Sequence, residues 1–550
     1  MPKVPFWIFI LIGILYFTAA RVDTMDIDAS QYAEISRAML QRGDYLHVYD
    51  RGFDYLDKPP MLFWVSALSM KVFGVNNFGF KLPSILFALW ALFATYKLGK
   101  RLYDDTVGRM AALVLATCQG MFLMTNDIRC DTILMSWVVT AVWLIQEWVA
   151  SRRLLYLLGG FAAVAFGMMT KGPIAMMVPV FCFATDWALK REWKNLFKPQ
   201  YILGLVIVAV LLIPMSIGLY QQFDAHPEKV VNGNTNVSGL RFFYWSQSFG
   251  RITGESPWKN GAGIDFLLLN MLWSFLPWIV LFVVALLHNV VQLVRQRFRL
   301  VQGQEWVTTG GFLLSYLALG SSAYQLPHYI FIAFPFAAII TAKFIYDMAA
   351  KDLFPGYARF FTLFQPFIAL ILLIAVFVLI SWFFPAGVLY MCVWVAGLIA
   401  WLYIAYRKNL RGKFFWLSAA AMIVANIFLN NHLYPTLLQY QAGSMSGRYM
   451  TEYKIPVQQV IRYKMDDPMN SVHFYAGAVI PSTDTIPDLR GKQYVLTMDK
   501  GIGDLAAAGV PFDTVRKSKL FKVSELTPEF INTRTRAQAT RNYYLLRLRY

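Results

Sequence analysis

The chain has 550 residues, 57% of them hydrophobic and 16% aromatic, and only 15% charged. The apolar residues fall in long runs, which excludes a soluble globular domain and points to a membrane protein with many spans. A net charge of +18 would suit nucleic acid, but the basic residues sit in short clusters between apolar runs. They read as signals for membrane orientation, and no nucleic-acid partner is expected.

Apolar runs of spanning length fall near 6–20, 82–98, 108–124, 131–150, 154–169, 172–188, 201–220, 265–287, 307–321, 328–346, 360–383, 386–405 and 413–430, about thirteen helices. The first, Phe6 to Ala20, has the form of a signal peptide, with Lys3 as a weak basic flank. With so many spans behind it, it reads as a retained first helix. Placing the N-terminus in the cytoplasm leaves every inner connection basic. These connections hold Lys97, Lys100, Arg101 and Arg109; Arg152 and Arg153; Lys190, Arg191, Lys194 and Lys198; Arg295, Arg297 and Arg299; Lys351 and Arg359; and Arg407, Lys408, Arg411 and Lys413. Loops 21–81, 125–131 and 221–263 then fall outside, as does the C-terminal tail, because the span count is odd. Cys118, Cys130, Cys182 and Cys392 form no CxxC, so neither a disulfide framework nor a cysteine metal site is expected.

The first outer loop, 21–81, concentrates ionisable groups beside the bilayer, where they rarely lack a function. Asp28 reads as a helix N-cap with Gln31 as its capping-box partner, and Ile27 and Tyr32 have the spacing of a hydrophobic staple. Tyr32, Ile35 and Met39 share one face, with Glu34, Arg37 and Gln41 elsewhere, which predicts an amphipathic helix lying in the interface. A second helix is predicted from Pro59-Pro60 to a stop at Gly74. Asp26 and Asp28 read either as carboxylates at the mouth of a cavity or, for Asp28, as a cap alone. In Asp57-Lys58-Pro-Pro a lysine precedes a helix N-terminus, the components of a phosphate site. The alternative is a snorkelling lysine paired with Asp57 or Asp54.

Further along, Asn126-Asp127-Ile-Arg129-Cys-Asp131 sits at an outer span end. There Asp131 is either a cap or a second carboxylate facing the first loop. Thr170-Lys171-Gly172-Pro173 is a tight outer turn with another candidate phosphate ligand. Between Arg241 and Arg251, Phe242, Phe243, Tyr244 and Trp245 read as interface anchors or as contacts to an anionic acceptor. His328, in Ser322-Ala-Tyr-Gln-Leu-Pro-His-Tyr329, reads alone as structural. Residues 431–550 lack a spanning run and read as a small outer α/β domain behind a membrane domain at 1–430. Strands are predicted at Val472-His-Phe-Tyr, Gln493-Tyr-Val-Leu-Thr and Tyr543-Tyr-Leu-Leu-Arg-Leu, and helices at Pro456 to Tyr463 and Gly503 to Ala508.

Asp28 with Tyr32-Ala-Glu-Ile, Gly43-Asp44-Tyr45, Asp57-Lys58-Pro-Pro, Phe73-Gly and Asn77-Phe-Gly-Phe-Lys-Leu-Pro together resemble landmarks of the integral-membrane GT-C glycosyltransferases. The nearest groups are the lipid A aminoarabinose transferases and relatives of the protein O-mannosyltransferases. Thr170-Lys-Gly-Pro, Leu276-Pro-Trp and Leu326-Pro-His-Tyr resemble further landmarks. The resemblance implies a mainly α, polytopic GT-C-like bundle with interfacial helices in the first outer loop and an extracytoplasmic C-terminal α/β domain, in a plasma (bacterial inner) membrane. It also implies an enzyme that moves a sugar from a polyprenyl-phosphate donor to a lipid, glycan or protein acceptor outside the membrane. Asp28 would be the principal catalytic carboxylate, Asp131 would assist, and Lys58, helped by Lys171, would bind the donor phosphate. Asp26, Tyr32, Tyr55, Asp57, Arg251 and His328 would support the substrates. Three departures stand out: Asp28-Ala29 replaces the family's Asp-Glu, Gln325-Leu-Pro replaces its Lys-Leu-Pro, and the outer loop after Arg251 lacks an expected histidine. Any divalent-cation site would draw on Asp28 and Asp57.

The mechanism expected from these parts is a single inverting displacement at the anomeric carbon. The phosphate leaves on Lys58, and Asp28 takes a proton if the acceptor is a hydroxyl. One alternative is O-mannosyl-type transfer to Ser/Thr. Another, of a different class, is a flippase for lipid-linked sugars, which would place polar groups at mid-span on broken, repeated helices.

Overall fold

The computed structural model describes residues 3–253, 255, 259–407, 410–466 and 469–549, with backbone only at 251 and 252. The Arg251 side chain and Lys408 therefore lie outside the described residues. The first part of the chain forms α1 (Phe6–Thr18), α2 (Asp28–Arg42), α3 (Met61–Phe73), α4 (Asn77–Leu102), α5 (Asp105–Thr117), α6 (Gln119–Asn126), α7 (Cys130–Ser151), α8 (Leu154–Lys171), α9 (Ile174–Lys190) and α10 (Gln200–Leu219). The later apolar runs are helical at Phe266–Ser274 and Ile279–Arg295, then Val307–Gly320, Phe334–Ala350, Pro355–Val378, Val388–Tyr406 and Lys413–Phe428.

This is a polytopic membrane protein. Among the described residues eight helices are long and apolar enough to cross a membrane alone, or nine if α5 and α6, bent by 57°, form one span. Phe6–Arg21, Ile279–Arg295 and Val307–Gly320 are shorter apolar helices. α10 shows why the composition is so apolar. Ile202, Val206, Val210, Ile213 and Ile217 are exposed along it, as lipid-facing residues are where no water competes for them.

The α5–α6 break is held from outside. The Gln119 N–H donates to Leu276 O at 3.1 Å and the Trp278 Nε1–H to Thr117 Oγ1 at 3.1 Å. Leu276-Pro-Trp thus satisfies polar groups that the bend frees inside an apolar bundle.

In the first loop, Asp28 opens α2 but does not cap it. Ile27 occupies the N-cap position and no side chain caps there. The Ser30 N–H instead donates to Met25 O, and Gln31 Nε2 donates to Asp50 Oδ2 at 2.8 Å, so the capping box does not form. Nor does α2 present its polar face to solvent. Glu34 and Arg37 are buried as a bidentate pair, and Arg37 Nη1 also donates to Gly477 O at 2.6 Å. The C-terminal region covers that face. α3 runs from Met61 to Phe73 with Pro60 before it and Gly74 after it, as its sequence predicts. Gly74 has φ +84°, and a Cβ on Gly79 would stand 2.2 Å from Gly74 O. The α3–α4 turn therefore needs both glycines.

Beyond residue 430 the helical path from Lys413 runs on to Tyr440 before a five-stranded sheet forms. Its strands are β3 (Val460–Tyr463), β4 (Ser482–Thr483), β5 (Tyr494–Met498), β6 (Phe512–Leu520) and β7 (Arg541–Leu548), in the order β4-β3-β5-β7-β6. (β1, Tyr49–Asp50, and β2, Phe53–Asp54, make a small hairpin in the first loop.) β3 is parallel to β4 and β5, and β7 is antiparallel to β5 and β6. Two expectations are overturned. Pro456 to Tyr463 is one short turn, Val457–Gln459, followed by β3, because Val460 and Ile461 pair with Tyr494 and Val495 of β5 and Arg462 and Tyr463 pair with β4. Val472-His-Phe-Tyr lies in a helix, Ser471–Ala476, whose first residue is held across the molecule. The Ser471 N–H and Oγ–H donate to the two Asp26 carboxylate oxygens at 2.8 and 2.6 Å.

Candidate functional site

Five chain segments meet on one end of the bundle. They are the start of α2, the loop before α3, the α6–α7 turn, the α8–α9 turn and the segment before Phe334–Ala350. Each is a polar turn between apolar elements, so its side chains emerge together where the helices end.

The loop before α3 brings Lys58, whose ammonium lies 2.7 Å from Asp57 Oδ2 with its side chain 14% exposed. Burial pulls its pKa down, but Asp57 and then Tyr329 outweigh that, and the net shift is upward. Lys58 therefore stays charged at any physiological pH. Gln247 donates to the Asp57 carbonyl and fixes the loop.

The α8–α9 turn brings Lys171. Gly172, at φ +90°, and Pro173 end α8 immediately after it. Lys171 Nζ lies 2.6 Å from Asp131 Oδ1 and 3.7 Å from the centre of the Tyr329 ring. Asp131, at the start of α7, is 3% exposed, and His328 Nε2 is 3.5 Å from its other oxygen. His328, read alone as structural, thus stands in the site.

Arg129 joins the site through the structure alone. Its Nε and Nη2 lie 2.9 and 2.8 Å from Asp127 Oδ2, and its Nη1 binds Asp28 Oδ2. It links the first loop to the α6–α7 turn. The only signal for it was its place between two acids at a span end. Arg129, Lys171 and Lys58 all act electrostatically on the His328 ring, and Lys58, Asp131, Lys171 and Asp57 all act on Cys130. Asp28, Lys58, Lys171 and Asp131 thus belong to one charged cluster.

Lys58 and Lys171 share a cleft of about 70 Å³, lined also by the polar side chains of Gln247, Ser248, Ser322 and Tyr329 and the apolar side chains of Ile174, Met177, Ala318 and Leu319. On the other side of Lys58 a smaller recess of about 20 Å³ is lined by Tyr55, Pro59, Pro60 and Phe243.

The other predicted residues have different positions. Asp26 ties the first loop to the C-terminal region, through Ser471 and through its own N–H, which donates to Gln441 Oε1 at 2.8 Å. Tyr32 is buried and Tyr55 half-buried, and both pack edge-on against Phe63. The suggested cation ligands Asp28 and Asp57 each hold a basic side chain, Arg129 and Lys58. Among the described residues no three His, Cys, Asp or Glu side chains converge as a metal site. Gln325, at the departure from Lys-Leu-Pro, is buried and donates to Gly320 O at 2.8 Å and to Ala262 O and Gly263 O at 3.2 Å. It serves as a loop fastener.

The architecture matches that of the ArnT protein of Cupriavidus metallidurans, solved bound to undecaprenyl phosphate. The TM-score is 0.72, with 14% identity, 98% of this chain and 97% of that one. Its apo state matches equally, at 0.72 and 15% identity. The chain has the GT-C fold. A family model described as dolichyl-phosphate-mannose-protein mannosyltransferase matches residues 57–217 of the chain, which takes in Lys58, Asp131 and Lys171 but not Asp28. The undecaprenyl phosphate-alpha-4-amino-4-deoxy-L-arabinose arabinosyl transferase of Edwardsiella ictaluri is 25% identical over 59% of this chain and 56% of its own length. The protein of the same name from Pseudomonas aeruginosa strain UCBPP-PA14 is 28% identical over 46% and 44%. The chain thus spans about half the length of the curated relatives it matches.

Proposed function

We propose that this GT-C chain transfers a sugar from a polyprenyl-phosphate donor to an acceptor at the extracytoplasmic face of a bacterial inner membrane. The observation that carries this reading is the cleft in which two lysines from different turns stand beside an apolar wall. A phosphate needs the lysines, and a long isoprenoid tail needs the wall. The chemistry fits a ligand such as the undecaprenyl phosphate held by the C. metallidurans protein. The N-terminus would be cytoplasmic, because the end of α4 remote from the site carries Lys97, Lys100 and Arg101.

In the reaction the acceptor oxygen bonds to the anomeric carbon as the bond from that carbon to the phosphate oxygen breaks. The electron pair leaves with the polyprenyl phosphate, and Lys58 and Lys171 take up the charge. Asp28, aligned by Arg129, orients the acceptor and takes its proton when it is a hydroxyl. A phosphate acceptor, as on lipid A, brings no proton to remove. Asp131 holds Lys171, with His328 at its other oxygen.

The test is reconstitution of the purified chain in proteoliposomes with an undecaprenyl-phosphate aminoarabinose donor and lipid A, read by mass spectrometry of the product. Covalent transfer is expected, with Lys58→Ala slower by roughly 10²–10³-fold. Movement of the intact donor across the bilayer without a new glycosidic product would overturn the reading in favour of a flippase. Glycosylated Ser/Thr peptide in place of modified lipid would reassign the acceptor.

A further inference from the structure

We propose that the half of the molecule remote from this site holds an anionic phospholipid, with one acyl chain seated between α1 and α4. A groove of about 680 Å³ lies there. Phe6, Ile10 and Phe17 of α1 and Leu89 and Phe93 of α4 form its walls, and Gly13 gives it depth. A Cβ at Gly13 would meet only Leu89, at 3.8 Å, so the missing side chain leaves space rather than relieving a clash. Phe6, Ile10 and Phe93 are exposed to the membrane side.

Length and charge select the occupant. From Phe6 to Phe17 the helix rises about 16 Å at 1.5 Å per residue, close to half of the roughly 30 Å hydrocarbon core. That is the reach of one acyl chain in one leaflet, and too short for an extended polyprenyl tail. At the Phe6 end three cations share one carboxylate. Asp105 lies 3.5 Å from Lys3, 3.2 Å from Lys100 and 3.0 Å from Arg109, and Tyr96, a lining residue, donates to it at 2.8 Å. Two positive charges are left over. Lys3 and Lys100 are 64% and 50% exposed, within reach of a phosphate at the headgroup level. A zwitterionic lipid brings its own cation to this cluster and gains less than an anionic one.

The experiment is thermal unfolding and native mass spectrometry of the full chain in neutral detergent, titrated with phosphatidylglycerol, phosphatidylcholine of the same chains, glycerophosphoglycerol or undecaprenyl phosphate. Phosphatidylglycerol is expected to bind and stabilise at lower concentration than phosphatidylcholine, and the headgroup alone is expected not to stabilise. Lys3→Gln with Lys100→Gln should weaken phosphatidylglycerol roughly thirtyfold and phosphatidylcholine by much less. Gly13→Leu, which fills the groove, should remove the response to both. Should that variant fail to fold, the lysine pair, which is largely exposed, still decides. Equal binding of the two phospholipids, an unaltered response in the lysine variant, stabilisation by the headgroup alone, or tighter binding of undecaprenyl phosphate sensitive to Gly13→Leu would each overturn the proposal.

Discussion

At the scale of single residues the site is a set of cations, each already held by a carboxylate: Lys58 by Asp57, Lys171 by Asp131, and Arg129 by Asp28 and Asp127. In the proposed reaction this pairing would hold flexible side chains in place before a donor binds, so that less is lost in ordering them. Arg129 gives this idea its sharpest test. If it acts by aiming Asp28, then Arg129→Gln and Asp28→Asn damage the same function. Each alone should lower kcat for a hydroxyl acceptor by roughly 10²–10⁴, and the double variant should lose little more than the worse single one. Losses that multiply would mean that Arg129 acts on something other than Asp28. The same pairing bears on metal. A divalent ion at Asp28 or Asp57 would have to displace a bonded cation, so treatment with a chelator is expected to leave the transfer rate unchanged. A rate restored only by added Mg²⁺ or Mn²⁺ after chelation would sink that expectation.

At the scale of elements the decisive piece is α2, which carries Asp28 on one end and packs its polar side against the C-terminal region. Removing Arg37 leaves Glu34 buried without its partner, a change that costs about 3–5 kcal/mol in comparable pairs. Arg37→Ala should therefore lower the unfolding temperature and open the first loop to protease, whereas a change at an exposed position such as Lys500→Ala should not. The apolar runs were legible because hydrocarbon demands them. The turns bearing Lys58, Lys171 and Asp131 were legible because acids and lysines beside apolar spans are costly without a purpose. The cover over α2 was not legible. Glu34 and Arg37 look like an ordinary exposed i,i+3 pair until a segment more than four hundred residues away, at Gly477, comes down on them. For the same reason Asp28 looked like a cap and Val472 to Tyr475 looked like a strand. Local pattern favoured those forms, and distant partners, Arg129 and Asp26, selected others.

At the scale of the whole molecule, the contact between the C-terminal region and the first loop joins a folded sheet to the candidate site, and one histidine is expected to make it sensitive to acid. His473, on the short helix Ser471–Ala476, is buried. Both of its ring nitrogens face donors: the Ile480 N–H, which donates to Nδ1 at 3.0 Å, and Arg462 Nη1, 3.2 Å from Nε2. A neutral ring keeps one lone pair to accept from them, whereas a protonated ring would carry an N–H on both nitrogens and accept from neither. Burial first, then the charges of Arg462, Arg51 and Arg37, push its pKa down to about 3, against about 6.5 in an unfolded chain. Between those values the unfolded chain binds the extra proton and the folded chain does not. Its contribution to stability is therefore fully present above about pH 6.5 and is lost as pH falls toward 3, at about 1 kcal/mol per pH unit. Glu34, whose carboxyl burial pushes up despite Arg37, works in the opposite sense near the carboxylate range, so the total curve mixes the two. The difference between wild type and His473→Gln separates them. Protease protection of the first loop, followed from pH 7.5 to 4.5, is expected to fall in the wild type from about pH 6.5 downward, while the variant, less protected at pH 7.5, shows a flatter slope. Parallel slopes would mean that His473 takes up its proton without loosening the contact, and that acid acts elsewhere in the molecule.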